Sequence, residues 1–340
     1  MTAVSGPGGW PGLDVLAAQR TVLDDLAEVP AGLVGRPWAV RLPSRGPQSS
    51  PAGHAVSLLA QLPVELGPHG WKLADRPGVD LARGLAERRE ELDALAVAGL
   101  GWTGPLVVPL LGPLSLAAST YLARGDRVVA DGGALEELAV SLAEGVTERL
   151  GAVARAVPGA SLEVLLHEPL LAQVTAGVLP TFSGYSVLRA VPGPVAAERL
   201  GAVVSAVRAA GATTVVHPGA SWTAVRTVLA AGADGLALAV DGLDERGWEQ
   251  VAEAVEAGRT LWPELPRQQS SSCAGPDVAG QAQALLRPWR SVGLPDARLR
   301  DVTLLTAAPT AQTSVDEARA ELAGVARAAL IVAERAEGGT

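Results

Sequence analysis

Short runs of β-branched and aliphatic residues recur along the chain, each followed by a longer stretch of helical period, and this alternation constrains the fold more than any other feature. The runs are TAVSG (2–6), WAVRL (38–42), PLVVPLL (105–111), SLEVLLH (161–167), TTVVH (213–217), DGLALAV (234–240), RTLWPEL (259–265) and DVTLLTA (301–307). Parallel strands need a crossover of about a dozen residues or more between them, and a helix is the usual one. Stretches 13–28, 79–99, 131–157, 194–210, 221–231, 244–257, 276–292 and 314–336 supply it, several opening with Asp, Ser or Pro. Eight such units in 340 residues predict an α/β chain closed as a single (β/α)8 TIM barrel over 1–340, with an N-terminal excursion between strands two and three. No linker-like stretch divides it. An open, doubly wound sheet is the alternative use of the same alternation.

Composition removes several chemistries. A single cysteine, Cys273, excludes an internal disulfide and any multi-cysteine metal cluster. Lysine occurs only at Lys72, within HGWKLADRPG, a segment that reads as a loop, so Schiff-base chemistry is set aside. The net charge of -9, with no concentrated basic surface, argues against nucleic acid as a partner. No apolar run has the length of a membrane span, and the first residues carry no signal-peptide pattern, so a cytoplasmic location and no membrane partner are expected.

In a barrel, chemistry sits where strands end and the following loops begin. The residues there are the turn GPGGWPG (6–12) with Gly8, Gly9 and Trp10, then Arg41 and Arg45, Gly112-Pro113, His167-Glu168-Pro169, His217, Asp241, Glu264 and the segment 306–312. A turn with four glycines in seven residues suits an anion-binding nest of backbone N–H groups, or simply a tight turn. His167 and His217 end adjacent strands with Glu168 and Asp241 nearby, which suits an acid–base pair, a nitrogen/oxygen metal site or a hydrogen-bonded wall. Arg45 is the candidate grip for a carboxylate, or a salt-bridged rim residue. Cys273 lies in a serine-rich loop with nothing that marks a lowered pKa. Residues 87–91, ERREE, read as a solvated helix face, and His54 and His69 receive no role.

These stretches together resemble the cobalamin-independent methionine synthase family, whose superfamily includes uroporphyrinogen decarboxylase. The likeness is greatest to short single-barrel proteins similar to that enzyme's C-terminal domain. It is carried by Gly6 to Gly12, SRGP (44–47), the Gly-Pro after strand three, the Glu-Pro after strand four, the His after strand five and Arg259-Thr260-Leu261-Trp262, in that order over nearly the whole chain. The resemblance implies a barrel, a zinc that activates the thiol of homocysteine, and a methyltetrahydrofolate as methyl donor. It implies zinc ligands in a His-x-Cys pair, a carboxylate after strand six and a final Cys near strand eight. Here His217 remains, Gly219 takes the place of its Cys, Ala239 that of the carboxylate with Asp241 two residues on, and Pro309 that of the last Cys. The Asp-Glu-Pro that grips the amino acid substrate reads His167-Glu168-Pro169, and the serine of the first turn is Gly9. In the decarboxylase branch, arginines after strand two hold carboxylates without metal.

The resulting expectation is a methionine synthase-like barrel that binds a small carboxylated ligand at its mouth, a divergent methyltransferase without the zinc site. No metal and no cofactor are expected. His217, Glu168 and His167 are the catalytic candidates, and Gly8, Gly9, Trp10, Arg45 and Asp241 the ligand-binding ones; Trp10, Arg45, Glu168 and His217 should line one concavity. Two alternatives stand beside it. One is a catalytically silent barrel with a regulatory role and a protein partner. The other is metal-free, decarboxylase-like chemistry on a carboxylated substrate.

Overall fold

The computed structural model describes residues 1–267 and 277–338. Strand β1 (Ala3–Ser5) is followed by helix α1 (Val15–Ala27), β2 (Val34–Gly35), α2 (Pro51–Val56), a hairpin of β3 (Val64–Gly67) and β4 (Gly70–Leu73), and α3 (Val79–Ala98). Next come β5 (Pro105–Leu111), α4 (Pro113–Ser119), α5 (Gly132–Ala156), β6 (Ser161–His167), α6 (Leu171–Ala176), α7 (Gly193–Ala209), β7 (Thr213–His217), α8 (Val225–Ala230) and β8 (Gly235–Ala239). The chain ends with α9 (Glu245–Glu256), β9 (Thr260–Glu264), α10 (Val278–Ser291), β10 (Thr303–Leu305) and α11 (Val315–Gly338). All strands but the hairpin form one parallel sheet in the order β2-β1-β10-β9-β8-β7-β6-β5. A parallel pairing of Trp38 with Val107, with N–H···O distances of 2.8 Å from Ala39 to Val107 and from Val107 to Pro37, joins the two ends. The sheet is thereby a (β/α)8 barrel.

The second strand departs from expectation. Its hydrogen bonding to β1 ends with the Arg36 N–H on the Val4 carbonyl at 2.8 Å, and pairing resumes only as isolated bridges at Trp38 and Arg41. Between these pairings the Gln19 side chain of α1 takes the backbone groups a ladder would use, donating to the Trp38 carbonyl at 2.9 Å and accepting the Val40 N–H at 2.8 Å, so 38–42 is not a continuous strand. The hairpin of β3 and β4 also stands where a loop was expected, with Lys72 paired to Glu65 at 2.7 Å across it. The helices start where their side chains satisfy free backbone donors. Asp14, Asp131, Asp244 and Asp277 each accept from an N–H three residues on, at 2.7–3.0 Å. Ser314 and Glu317 form a reciprocal capping box at the start of α11.

Contacts between strands that are not neighbours reveal which faces point into the barrel. Arg36, just beyond β2, pairs with Glu163 on β6 and lies over the ring of Trp262 on β9, 5.5 Å from its centroid. Both contacts cross the interior, because other strands separate these elements in the sheet. Side chains alternate along a strand. Leu165 and His167 therefore follow Glu163 inward, and Glu264 follows Trp262. In register, Leu111, His167 and His217 are lateral partners at the C-terminal ends of β5, β6 and β7.

Candidate active site at the strand ends

The inward layer at the C-terminal end of the barrel contains His167, His217 and Glu264. The two imidazole rings lie 5.5 Å apart between centroids, tilted by 34°. His217 Nδ1 accepts the Gly219 N–H at 3.1 Å, which requires an unprotonated Nδ1. Its Nε2 lies 3.1 Å from Glu264 Oε2 across the barrel, so this network assigns the proton to Nε2, donated to the carboxylate. Both nitrogens of His217 are thus engaged. His167 Nε2 lies 2.9 Å from the Pro7 carbonyl, an acceptor only, and so carries the hydrogen. Burial, then the proximity of His217 and Arg41, holds His167 well below the ordinary imidazole range. Neutral His167 keeps a lone pair on Nδ1 that no described residue fills.

The Pro7 contact also shows what the glycine-rich turn does. It leaves β1 and reaches across the barrel to β6, and a Cβ on Gly8 would lie 2.3 Å from the Pro109 side chain on β5, so only glycine fits there. Gly9 lies beside Pro309, and Trp10 packs on Trp38 at 6.0 Å, with a cavity of about 20 Å³ between them and Arg267. The turn covers the mouth of the barrel.

Glu168 follows His167 and, by strand alternation, turns the other way. It is 0 % exposed, and its two carboxylate oxygens accept the N–H groups of Leu114 and Ser115 at 2.9 and 2.7 Å, at the start of α4. Burial raises this carboxyl to about 7, against the hydrogen bonds, which favour the charged form. Arg45 pairs with Glu90 of α3 at 2.5 Å, and Asp241 is exposed in the turn after β8. The structure therefore does not gather Trp10, Arg45, Glu168 and His217 into one concavity. It brings together His167 and His217, and adds two residues that received no assigned role, Glu264 and Arg41. Cys273 lies outside the described residues.

Arg41 differs from Arg45 in every respect that matters for a ligand. It is 6 % exposed, burial lowers its pKa, and its Nε has no hydrogen-bond partner. It lies within electrostatic reach of His167 at the mouth and of Glu91 and His54 in the helical layer. His54 and Glu91 are each 5 % exposed, so the segment 87–91 is not wholly a solvated face.

The zinc that the resemblance implies does not fit these residues. His217 has no nitrogen to offer without breaking its bonds to Gly219 and Glu264, and neither Gly219 nor Pro309 has a donor side chain. Among the described residues no group of three or more His, Cys, Asp or Glu side chains is placed to hold a metal ion. Gly219 has φ +80 and its Cβ position lies 3.6 Å from Pro169 Cα, so a cysteine there meets backbone strain as well.

The pKa directions give an expected pH profile. His54 is held at about 4 by burial, against its pair with Glu91 at 3.3 Å. Below the unfolded value of 6.5 the unfolded chain takes up a proton that folded His54 refuses until about 4, a difference of roughly 3 kcal/mol that is lost as pH falls. His167 acts in the same direction. Glu168 acts oppositely, since its contribution is present below 4.5 and lost as pH rises through about 7. Two groups outweigh one, so the thermal midpoint should fall between pH 7 and 4.5. The fall should steepen in Glu168→Gln and flatten in His54→Asn; a profile indifferent to both substitutions contradicts these assignments.

The fold and this inward polar layer define the chain as a (β/α)8 barrel whose strand ends carry a histidine pair, a carboxylate and a buried arginine. Neither the family models nor the curated proteins provide a match. Among solved structures, the chain is similar to a B12-independent methionine synthase from Shewanella sp. W3-18-1 in complex with selenomethionine, at 12% identity and a TM-score of 0.58, over 98% of each chain. A D-allulose 3-epimerase from Methylomonas sp. aligns at 10% identity and a TM-score of 0.39, over 73% of this chain and 92% of its own. The first likeness establishes the shared fold alone, and the second carries no argument. Among the described residues no helix is long and apolar enough to cross a membrane.

Proposed function

We propose that this chain is a methionine synthase-like barrel that binds a small carboxylated ligand at its mouth and does so without zinc-thiolate chemistry. The observation that carries the reading is the inward layer of His167, His217 and Glu264 with the Arg41 guanidinium in electrostatic reach of His167. In this reading Arg41 supplies the positive charge for the ligand's carboxylate. His167 Nδ1 accepts a hydrogen bond or proton from the ligand, and the His217–Glu264 pair fixes the neighbouring wall. Methyl transfer and a place in methionine biosynthesis do not follow from these residues.

The test is a titration with small amino acids and 2-oxo acids, followed through the imidazole resonances of His167 and His217. The reading expects saturable shifts for at least one compound, weakened in Arg41→Met; unmoved resonances throughout would reject it. A catalytically silent barrel is the second reading, favoured by the glycine turn lying over the mouth and by the full engagement of His217. It expects no such shift.

A further inference from the structure

At the opposite end of the barrel from the histidines, Thr260 opens β9 and Val302 precedes β10. A cavity of about 210 Å³ lies there, lined by both of these residues and by Arg36, Arg259, Arg298 and Arg300. Four arginines on one small cavity are a local reversal of sign in a chain of net charge -9. Two of them are already compensated. Arg36 pairs with Glu163 inside the barrel. Arg298 donates to the Val255 carbonyl at 3.2 Å and lies 3.8 Å from Asp301, and both of those partners are also on the cavity wall. The other two are not compensated. The Arg259 side chain, half-buried, has no hydrogen-bond or ion-pair partner among the described residues. Exposed Arg300 uses only its Nε, on the Ala297 carbonyl at 2.8 Å, and its two terminal nitrogens are free. One solvent-accessible cavity therefore carries two positive charges that no carboxylate balances.

We infer that this cavity binds a phosphoryl group, free or carried by a small molecule, with Arg259 and Arg300 as the residues that hold it. A phosphoryl group has about -1.5 to -2 charges at neutral pH and three acceptor oxygens. Two unpaired guanidiniums match that charge, whereas a monoanion leaves one of them uncompensated. The planar fork of arginine also fits phosphate oxygens two at a time. Arg300 lies on a second, neighbouring cavity as well, of about 530 Å³ with Ala333 and Ala336 of α11 on its wall, which gives room for the body of a phosphorylated molecule. Asp301 is the one carboxylate among the described residues on the wall of the first cavity, and it weakens the site by repelling the anion. The site shares no residue with the proposed mouth, so either can fail alone.

The experiment is a calorimetric titration of the full chain, at neutral pH and constant ionic strength, with inorganic phosphate, sulfate, glycerol phosphate and, as a monoanion, nitrate. Phosphate and sulfate should bind saturably near one per chain, and nitrate far more weakly. Arg259→Met and Arg300→Met should each weaken phosphate about tenfold or more, since each removes charge-assisted donors. Asp301→Asn should strengthen it, and Arg246→Met, an exposed arginine on α9, should leave it unchanged. Tighter binding of glycerol phosphate than of inorganic phosphate identifies a phosphorylated molecule as the ligand, and the reverse order identifies free phosphate. If an arginine variant does not fold, tungstate-soaked wild-type crystals decide, by an anomalous peak against both Arg259 and Arg300. No saturable phosphate binding, nitrate bound as tightly as sulfate, affinity undiminished in both arginine variants, or a tungstate map with no peak there would each overturn the site. Phosphate binding lost in Arg41→Met but kept in Arg259→Met and Arg300→Met would also overturn it, by placing the anion at the mouth. Failure of the mouth reading shows instead in the histidine resonances, which the Arg259 and Arg300 variants leave free to report.

Discussion

Glu168→Ala should lose about 2–6 kcal/mol of stability, because the substitution strands the buried Leu114 and Ser115 N–H groups, each worth roughly 1–3 kcal/mol when left unpaired. The carboxylate is the lid on the first turn of α4, and Gly112 leaves the room for it: a Cβ there would lie 2.3 Å from Glu168 Oε1. Glu168→Gln keeps one acceptor and should fall between wild type and alanine. Equilibrium unfolding in denaturant is the measurement. Were Glu168 instead a group held ready for a ligand at the mouth, Glu168→Ala would leave stability unchanged or raise it, and would abolish binding of small carboxylates.

The second large effect lies where α5 crosses the excursion. A Cβ on Gly145 would lie 1.7 Å from the Leu58 carbonyl oxygen, a backbone atom that no rotamer change removes. Gly145→Ala should therefore cost about 3 kcal/mol or more, since relief requires the helix and the 58–60 segment to separate. The separation would also strain the bond from Ser141 Oγ to the Ala60 carbonyl, 2.6 Å long. Gly151→Ala in the same helix is the control. Its nearest contact is the flexible end of Arg155 at 3.4 Å, and removing a helical glycine there should be neutral or stabilising by up to about 1 kcal/mol. Equal effects at the two positions would contradict the close packing of α5 on residue 58.

Much of the barrel was legible because its signals are local. Strands β5, β6 and β7 occupy the very runs of β-branched and aliphatic residues read from sequence, and the long helices follow the Ala/Leu/Glu/Arg stretches. The second strand departs from its apolar run because Gln19, about 20 residues away on α1, takes the Trp38 carbonyl and the Val40 N–H, a partner that no local pattern in 38–42 announces. The β3–β4 hairpin escaped because its strands have four residues each and its turn, Pro68-His69, is not a signal of the Asn-Gly kind.

The site was legible only in part. His167 and His217 were found by strand ends, and strand alternation, followed one residue further, would have turned Glu168 away from them. Arg41 and Arg45 cannot be ranked from their own neighbourhood, because what separates them is Glu90, on a helix 45 residues on. Glu91 did carry a signal. It shares the buried stripe of α3 with Gly84, Ala94 and Leu95, and a charged residue on such a stripe calls for a buried partner. The glycine turn was read as a nest or a tight turn; its reach across the barrel to Pro109 and His167 depends on contacts more than 100 residues apart in the chain.

His217 is committed on both nitrogens, and Gly219 and Pro309 have no donor atoms, so the proposed mouth is expected to take no zinc. Calorimetric titration of untagged protein with zinc at neutral pH tests it directly. The expected result is no binding near one zinc per chain, and no difference between wild type and His217→Ala. A stoichiometric, tight zinc site in the wild type that disappears in His217→Ala would contradict it, and would return thiol activation to the front of the functional reading.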